Sequence, residues 1–185
     1  MTVRRLLARA ATATTAAAAL LLTVLPADAA AYGAHDPVPG AVRLYVPYDG
    51  TPHVIAFAGS ANRAKAQLWT LGGSGNQNVR AVRVGTTADG EPVVYFQDAG
   101  SGKCLDESRD RPAADGTVVY LYTCSRAANQ LWELREGSLG WGYSVVNRYD
   151  GRCLDAKGKS WTNGTQLQVW SCSGAWNQIW LTNVY

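Results

Sequence analysis

Residues Cys153 to Trp180 read CLDAKGKSWTNGTQLQVWSCSGAWNQIW, and Cys104 to Trp132 read CLDESRDRPAADGTVVYLYTCSRAANQLW. Both run in one order: Cys-Leu-Asp, a turn (Asp115-Gly116-Thr117 or Asn163-Gly164-Thr165), an alternating segment, a second cysteine and Asn-Gln-x-Trp. A repeat unit that cannot bury its own apolar face needs neighbours, so a third copy is expected. Gln67-Leu68-Trp69 supplies a third Gln-x-Trp beside Gln130-Leu131-Trp132 and Gln178-Ile179-Trp180, and Asp49-Gly50-Thr51 supplies a third turn. The pattern predicts three copies, the first of them eroded.

Asp-Gly and Asn-Gly mark tight turns, because Gly and Asn tolerate positive φ. Behind each turn the period is two. Leu167 and Val169 share an inward face in the third copy, as do Val119 and Leu121 in the second. Gln168, Trp170 and Cys172 lie on the other face, with Tyr120, Tyr122 and Cys124 as their counterparts. Further strands are expected over Pro92 to Gln97 and Tyr143 to Asn147, each just ahead of a Cys-Leu-Asp. With no sustained helical period, the class is all-β. Gly75 to Glu91 reads as a loop or extended hairpin inserted between copies one and two.

At the start of the chain, Arg4, Arg5 and Arg9 precede an apolar run ending at Leu25 and the small-residue site Ala27-Asp28-Ala29. This is the order of a secretory signal peptide, expected over residues 1–29. Ala16 to Leu25 is too short for a transmembrane span, which needs about 20 apolar residues. Residues 30–40, with two prolines, read as a flexible leader and 41–185 as one domain. Cleavage after Ala29 leaves 156 residues carrying 14 basic and 13 acidic side chains. A net charge of +1 argues against nucleic acid or an anionic membrane as partner.

Four cysteines permit three pairings, and spacing alone does not choose among them. The repeat does: Cys104 and Cys124 occupy the same places in their copy as Cys153 and Cys172 in theirs, so each pair is expected to bond within its copy. Export to an oxidising, extracellular setting follows. There is no CxxC motif, and the only histidines are His35 and His53, so no metal or other cofactor is expected.

These combined motifs resemble the ricin-type β-trefoil lectin and carbohydrate-binding family, strongly over residues 104–132 and 153–180 and weakly over 41–69. The resemblance implies a six-stranded barrel closed by three hairpins, with Trp69, Trp132 and Trp180 in the core. It implies sugar sites built from Asp155, Gln168, Trp170, Asn177 and Gln178 in copy three, and from Asp106, Tyr122, Asn129 and Gln130 in copy two. A carboxylate and amides suit hydroxyl groups, and a flat ring suits the C–H face of a sugar. Gln168 and Trp170, two apart on a strand, share a face independently of the family. Copy two departs at Tyr120, where copy three has Gln168. Copy one has Ala66 in the asparagine place, Ala58 near the ring place and no Cys-Leu-Asp, so no sugar site is expected there.

Other assignments are weaker. Trp161, Trp176 and Trp141 read as packing or turn aromatics, and Asn163-Gly164-Thr165 as a turn rather than a glycosylation acceptor. No nucleophile with a base is present, and Asp106 and Asp155, set in different copies, make an unsuitable hydrolytic pair. The implied function is non-catalytic binding of galactose-like or xylan-type glycans. The rivals are a trefoil proteinase inhibitor offering Arg80 or Arg83, and a subunit that targets a separately encoded toxin or hydrolase.

Overall fold

The computed structural model describes residues 40–46, 51–72, 75–138 and 140–184. The expected signal peptide, residues 30–39 of the leader, and Asp49 and Gly50 of the first turn lie outside these. Among the described residues there are twelve strands: β1 Gly40–Val46, β2 His53–Phe57, β3 Ala66–Thr70, β4 Val79–Thr86, β5 Pro92–Asp98, β6 Cys104–Glu107, β7 Thr117–Tyr122, β8 Trp132–Glu136, β9 Tyr143–Asn147, β10 Cys153–Ala156, β11 Leu167–Trp170 and β12 Ile179–Val184. Single 3-10 turns at Gly75–Gln77, Ala128–Gln130 and Trp176–Gln178 precede β4, β8 and β12. Among the described residues no helix is long and apolar enough to cross a membrane.

Six strands close a ring, β1-β4-β5-β8-β9-β12 and back to β1, with every neighbour antiparallel. The other six form three hairpins, β2–β3, β6–β7 and β10–β11, which cap the ring. This is the expected barrel and hairpin triplet. Closure removes the unpaired edges that invite aggregation. Gln166 ties the hairpins together, its Nε2 donating to Ala66 O and Val119 O in the other two repeats at 3.1 and 2.9 Å. Both expected disulfides are present, Cys104–Cys124 and Cys153–Cys172. Each joins the start of its hairpin's first strand to the residue two past the end of the second, a constraint worth about 3 kcal/mol by the chain-entropy estimate.

The core holds Ile55, Leu105 and Leu154 from the first hairpin strands, Leu68, Leu121 and Val169 from the second, and Trp132 and Trp180. Both indoles are fully buried, with Nε1 donating to Leu105 O at 3.4 Å and Leu154 O at 3.0 Å. Trp69 does not join them. It is 43 % exposed, so its assignment to the core is corrected.

Register gives the reason. Val54, Ile55 and Ala56 pair with Trp69, Leu68 and Gln67, as Cys153, Leu154 and Asp155 pair with Trp170, Val169 and Gln168. Gln67-Leu68-Trp69 is therefore the counterpart of Gln168-Val169-Trp170, not of Gln178-Ile179-Trp180. The true counterpart is Gln77-Asn78-Val79. Gln77 accepts from Gly72 N at 3.0 Å and donates to Thr70 O at 2.9 Å, as Gln178 does with Ser173 N and Ser171 O and Gln130 with Ser125 N and Thr123 O. Val79, 1 % exposed, takes the indole's place in the core. The 75–91 segment is thus no insertion. It holds the third turn and last strand of repeat one, joined by a hairpin to the first strand of repeat two.

Candidate functional site

In repeat three, β10 and β11 set Asp155 opposite Gln168, and Trp170 lies two residues further along the same face. Asp155 is nearly buried and held by three amides. Gln168 Nε2 donates to Oδ1 at 2.9 Å, while Asn177 Nδ2 and Gln178 Nε2 donate to Oδ2 at 2.7 and 3.0 Å. Burial raises its pKa, and the bonds from Gln168, Gln178 and Asn177 oppose that rise by favouring the ionised form. Asn177 Nδ2 also donates to Ala156 O, and its Oδ1 is buried without a partner among the described residues. Trp170 is 44 % exposed beside this group. The five residues singled out in copy three therefore converge.

The wall of the site comes from the neighbouring repeat. Asp115 accepts from Ser171 N at 2.7 Å and pairs with Arg152, and Gly116, at φ 87°, lies along the edge of Trp170. Asn163 and Gly164 stand in the same relation to repeat one, with Asn163 Oδ1 accepting from Thr70 N at 2.7 Å. That is the turn expected of Asn163-Gly164-Thr165. Trp161 and Trp176 stack on each other with centroids 3.8 Å apart and pack against the core, while Trp141 is exposed.

Repeat two brings Asp106, Tyr122, Asn129 and Gln130 around a cavity of about 420 Å³. Gln130 Nε2 donates to Asp106 at 2.7 Å, but Asn129 gives its amide to Glu107 O, and Tyr120 stands where Gln168 would supply another donor. Burial, only partly offset by Gln130 and Asn129, pushes the Asp106 pKa up to about 6. The sequence did not mark out Arg63, Arg109 and Asp110, which also line this cavity. Arg63 forms a two-bond ion pair with Asp110, both contacts 2.6 Å, and its guanidinium lies 5.7 Å from the Tyr120 ring centroid. It holds φ 69° at the place where repeats two and three have Gly116 and Gly164, so the counterpart turn in repeat one is Asn62-Arg63-Ala64, which corrects its assignment to Asp49-Gly50-Thr51. Without glycine, that turn carried no readable signal.

In repeat one the residues sit where register puts them: Ala56 for the aspartate, Gln67 and Trp69 on β3, then Asn76 and Gln77. The placing of Ala66 and Ala58 at the asparagine and ring positions is corrected accordingly. The pair Asn76-Gln77 was the available signal, masked by Val79 in place of the third tryptophan.

The family model described as ricin-type beta-trefoil lectin domain-like matches residues 65–170 and 128–184, together more than half the chain. The chain belongs to that family. Among solved structures, the designed threefold-symmetric protein ThreeFoil is 27 % identical with a TM-score of 0.67, covering 78 % of this chain and 99 % of its own. The exo-beta-1,3-galactanase 1,3Gal43A from Clostridium thermocellum is 26 % identical with a TM-score of 0.67 over 80 % of this chain, which spans 31 % of the galactanase. The Macrolepiota procera ricin B-like lectin, solved with lactose, is 18 % identical with a TM-score of 0.65, covering 80 % of this chain and 98 % of its own. No curated protein sequence matches the chain.

Proposed function

We propose that this is a secreted carbohydrate-binding protein that takes glycans non-catalytically at shallow sites in repeats two and three. One observation carries the reading: the Asp155 carboxylate, fixed by three amides, beside the exposed face of Trp170. A sugar laid on that ring meets, in the Asp155 carboxylate, a fixed acceptor for its hydroxyl protons. These groups need no rearrangement to bind, so little ordering free energy is lost. The sites are shallow, so a monosaccharide is held at about 0.1–1 mM and useful affinity comes from engaging two sites at once. Galactose-containing glycans are the first to test, given the 26 % identical galactanase neighbour, with xylan fragments second.

Isothermal titration of the mature protein with lactose and xylan fragments, beside Trp170→Ala and Asp155→Asn, tests the repeat-three site. Each substitution is expected to weaken repeat-three binding at least about tenfold, the loss of one stacked ring or one charged acceptor. Retained affinity in both folded variants would remove Asp155 and Trp170 from the site. Trp170→Ala also isolates repeat two, where Asp106 accepts hydroxyl protons only when ionised. With its pKa near 6, affinity there is expected to fall about tenfold between pH 7.5 and pH 5. A flat profile would mean that Asp106 is not the acceptor.

The inhibitor reading loses its loop. Arg80 and Arg83 lie on β4, paired with Gln97 and Val94 of β5, with a bulge following Arg83, rather than on a projecting loop.

A further inference from the structure

We propose that repeat one holds a third binding site, selective for sugars that carry a carboxylate, that is, for uronates. The inference rests on the reading that exposed tryptophans of this fold stack sugars, but it uses none of the residues assigned to repeats two and three.

Trp69 matches Trp170 in register and in exposure, at 43 % against 44 %. Gln67 matches Gln168, and Asn76 and Gln77 match Asn177 and Gln178. The backbone ties agree as well: Asn76 Nδ2 donates to Phe57 O at 2.9 Å and Gln77 Nε2 to Thr70 O at 2.9 Å. An amide nitrogen carries two protons. In repeat three, one proton on each of the two 3-10 turn amides goes to backbone and the other to Asp155. In repeat one the backbone bonds remain, but Ala56 stands in place of the carboxylate. The amide donors that hold Asp155 in repeat three thus have counterparts around a methyl group.

A neutral sugar gains little here, because its hydroxyls lose their fixed acceptor. A uronate brings a carboxylate of its own, which accepts from the exposed amides at the rim of the site while its ring stacks on Trp69. The site is more open than the other two. Gly75 stands where Ala128 and Trp176 stand in repeats two and three, and Asn76 is exposed where Asn129 and Asn177 are buried. Ala56 is only 1 % exposed, so the ligand's carboxylate meets Asn76 and the edge of Gln67 rather than the Ala56 methyl. The neighbouring turn lacks a carboxylate as well, with Asn163 where repeat three's site has Asp115.

The test is titration of the mature protein with trigalacturonate and, separately, with lactose, using wild type, Trp69→Ala, Ala56→Asp and Trp170→Ala. Ala56→Asp recreates the arrangement that Asp106 and Asp155 already have, so it is expected to fold normally. It places a fixed negative charge against the ligand's own. Trigalacturonate affinity is expected to fall at least about tenfold in both Trp69→Ala and Ala56→Asp and to be unchanged in Trp170→Ala. Binding of trigalacturonate that survives Ala56→Asp, or its absence in wild type up to about 20 mM, would overturn the proposal. Lactose binding weakened only in Trp170→Ala shows the repeat-three site at work whatever repeat one does. Lactose that binds no variant, beside trigalacturonate that needs Trp69, would remove the repeat-three reading and leave this one standing.

Discussion

Trp180→Ala is expected to destabilise the fold by about 3–5 kcal/mol, and Trp69→Ala by less than about 1 kcal/mol. Both belong to a Gln-x-Trp triplet, so sequence gives no ground for a difference. Structure does. Trp180 is fully buried in the cluster formed where the repeats meet, and truncation removes its bond to Leu154 O as well as leaving a cavity the size of an indole. Trp69 is 43 % exposed on a hairpin cap and leaves no cavity behind. Urea denaturation of the two variants, with disulfides intact, measures both values. Equal losses would mean that Trp69 packs in the core after all. Trp132→Ala should resemble Trp180→Ala, because Trp132 is as deeply buried.

The same contrast shows how far the sequence could be read. Repeats two and three were legible because cysteines, Asp-Gly or Asn-Gly turns and Asn-Gln-x-Trp recur there at steady spacing. Their strands and disulfides lie where the pattern put them. Repeat one keeps the fold with different chemistry at each landmark. Val54 and Leu71 stand where cysteines would, Arg63 where a turn glycine would, Val79 where the tryptophan would, and Ala56 where the aspartate would. A core position accepts valine for tryptophan if its neighbours adjust, and a hairpin held by its ladder and by a cap does without a disulfide. One Gln-x-Trp remained in view, and by coincidence it belonged to β3, where its tryptophan faces outward. Register settles that ambiguity, since hydrogen-bond partners repeat more faithfully than residue types. Arg63 and Asp110 were illegible for another reason: their ion pair joins side chains 47 positions apart and in different repeats.

At pH 7, Glu107→Gln is expected to stabilise the protein by about 3 kcal/mol, a large effect from one oxygen-for-nitrogen exchange. Glu107 is fully buried, and neither carboxyl oxygen has a hydrogen-bond partner among the described residues. Its counterparts, Phe57 and Ala156, belong to the hydrophobic core. Burial, with the Asp150 carboxylate beside it, raises the Glu107 pKa from 4.5 to about 8. The folded protein therefore holds a proton that the unfolded chain releases above about pH 4.5. Between there and pH 8 the native state binds more protons, so stability falls as pH rises and levels off above pH 8. Asp106, raised to about 6, and Asp155, raised in the same direction, add to the slope. Glutamine keeps the shape and carries no charge at any pH in this range, so it is expected to abolish most of the decline. Denaturation midpoints of wild type and Glu107→Gln from pH 4.5 to pH 8.5 give the comparison. Curves that run parallel, with the variant no more stable at pH 8 than at pH 5, would show that the Glu107 carboxylate is accommodated in its charged form.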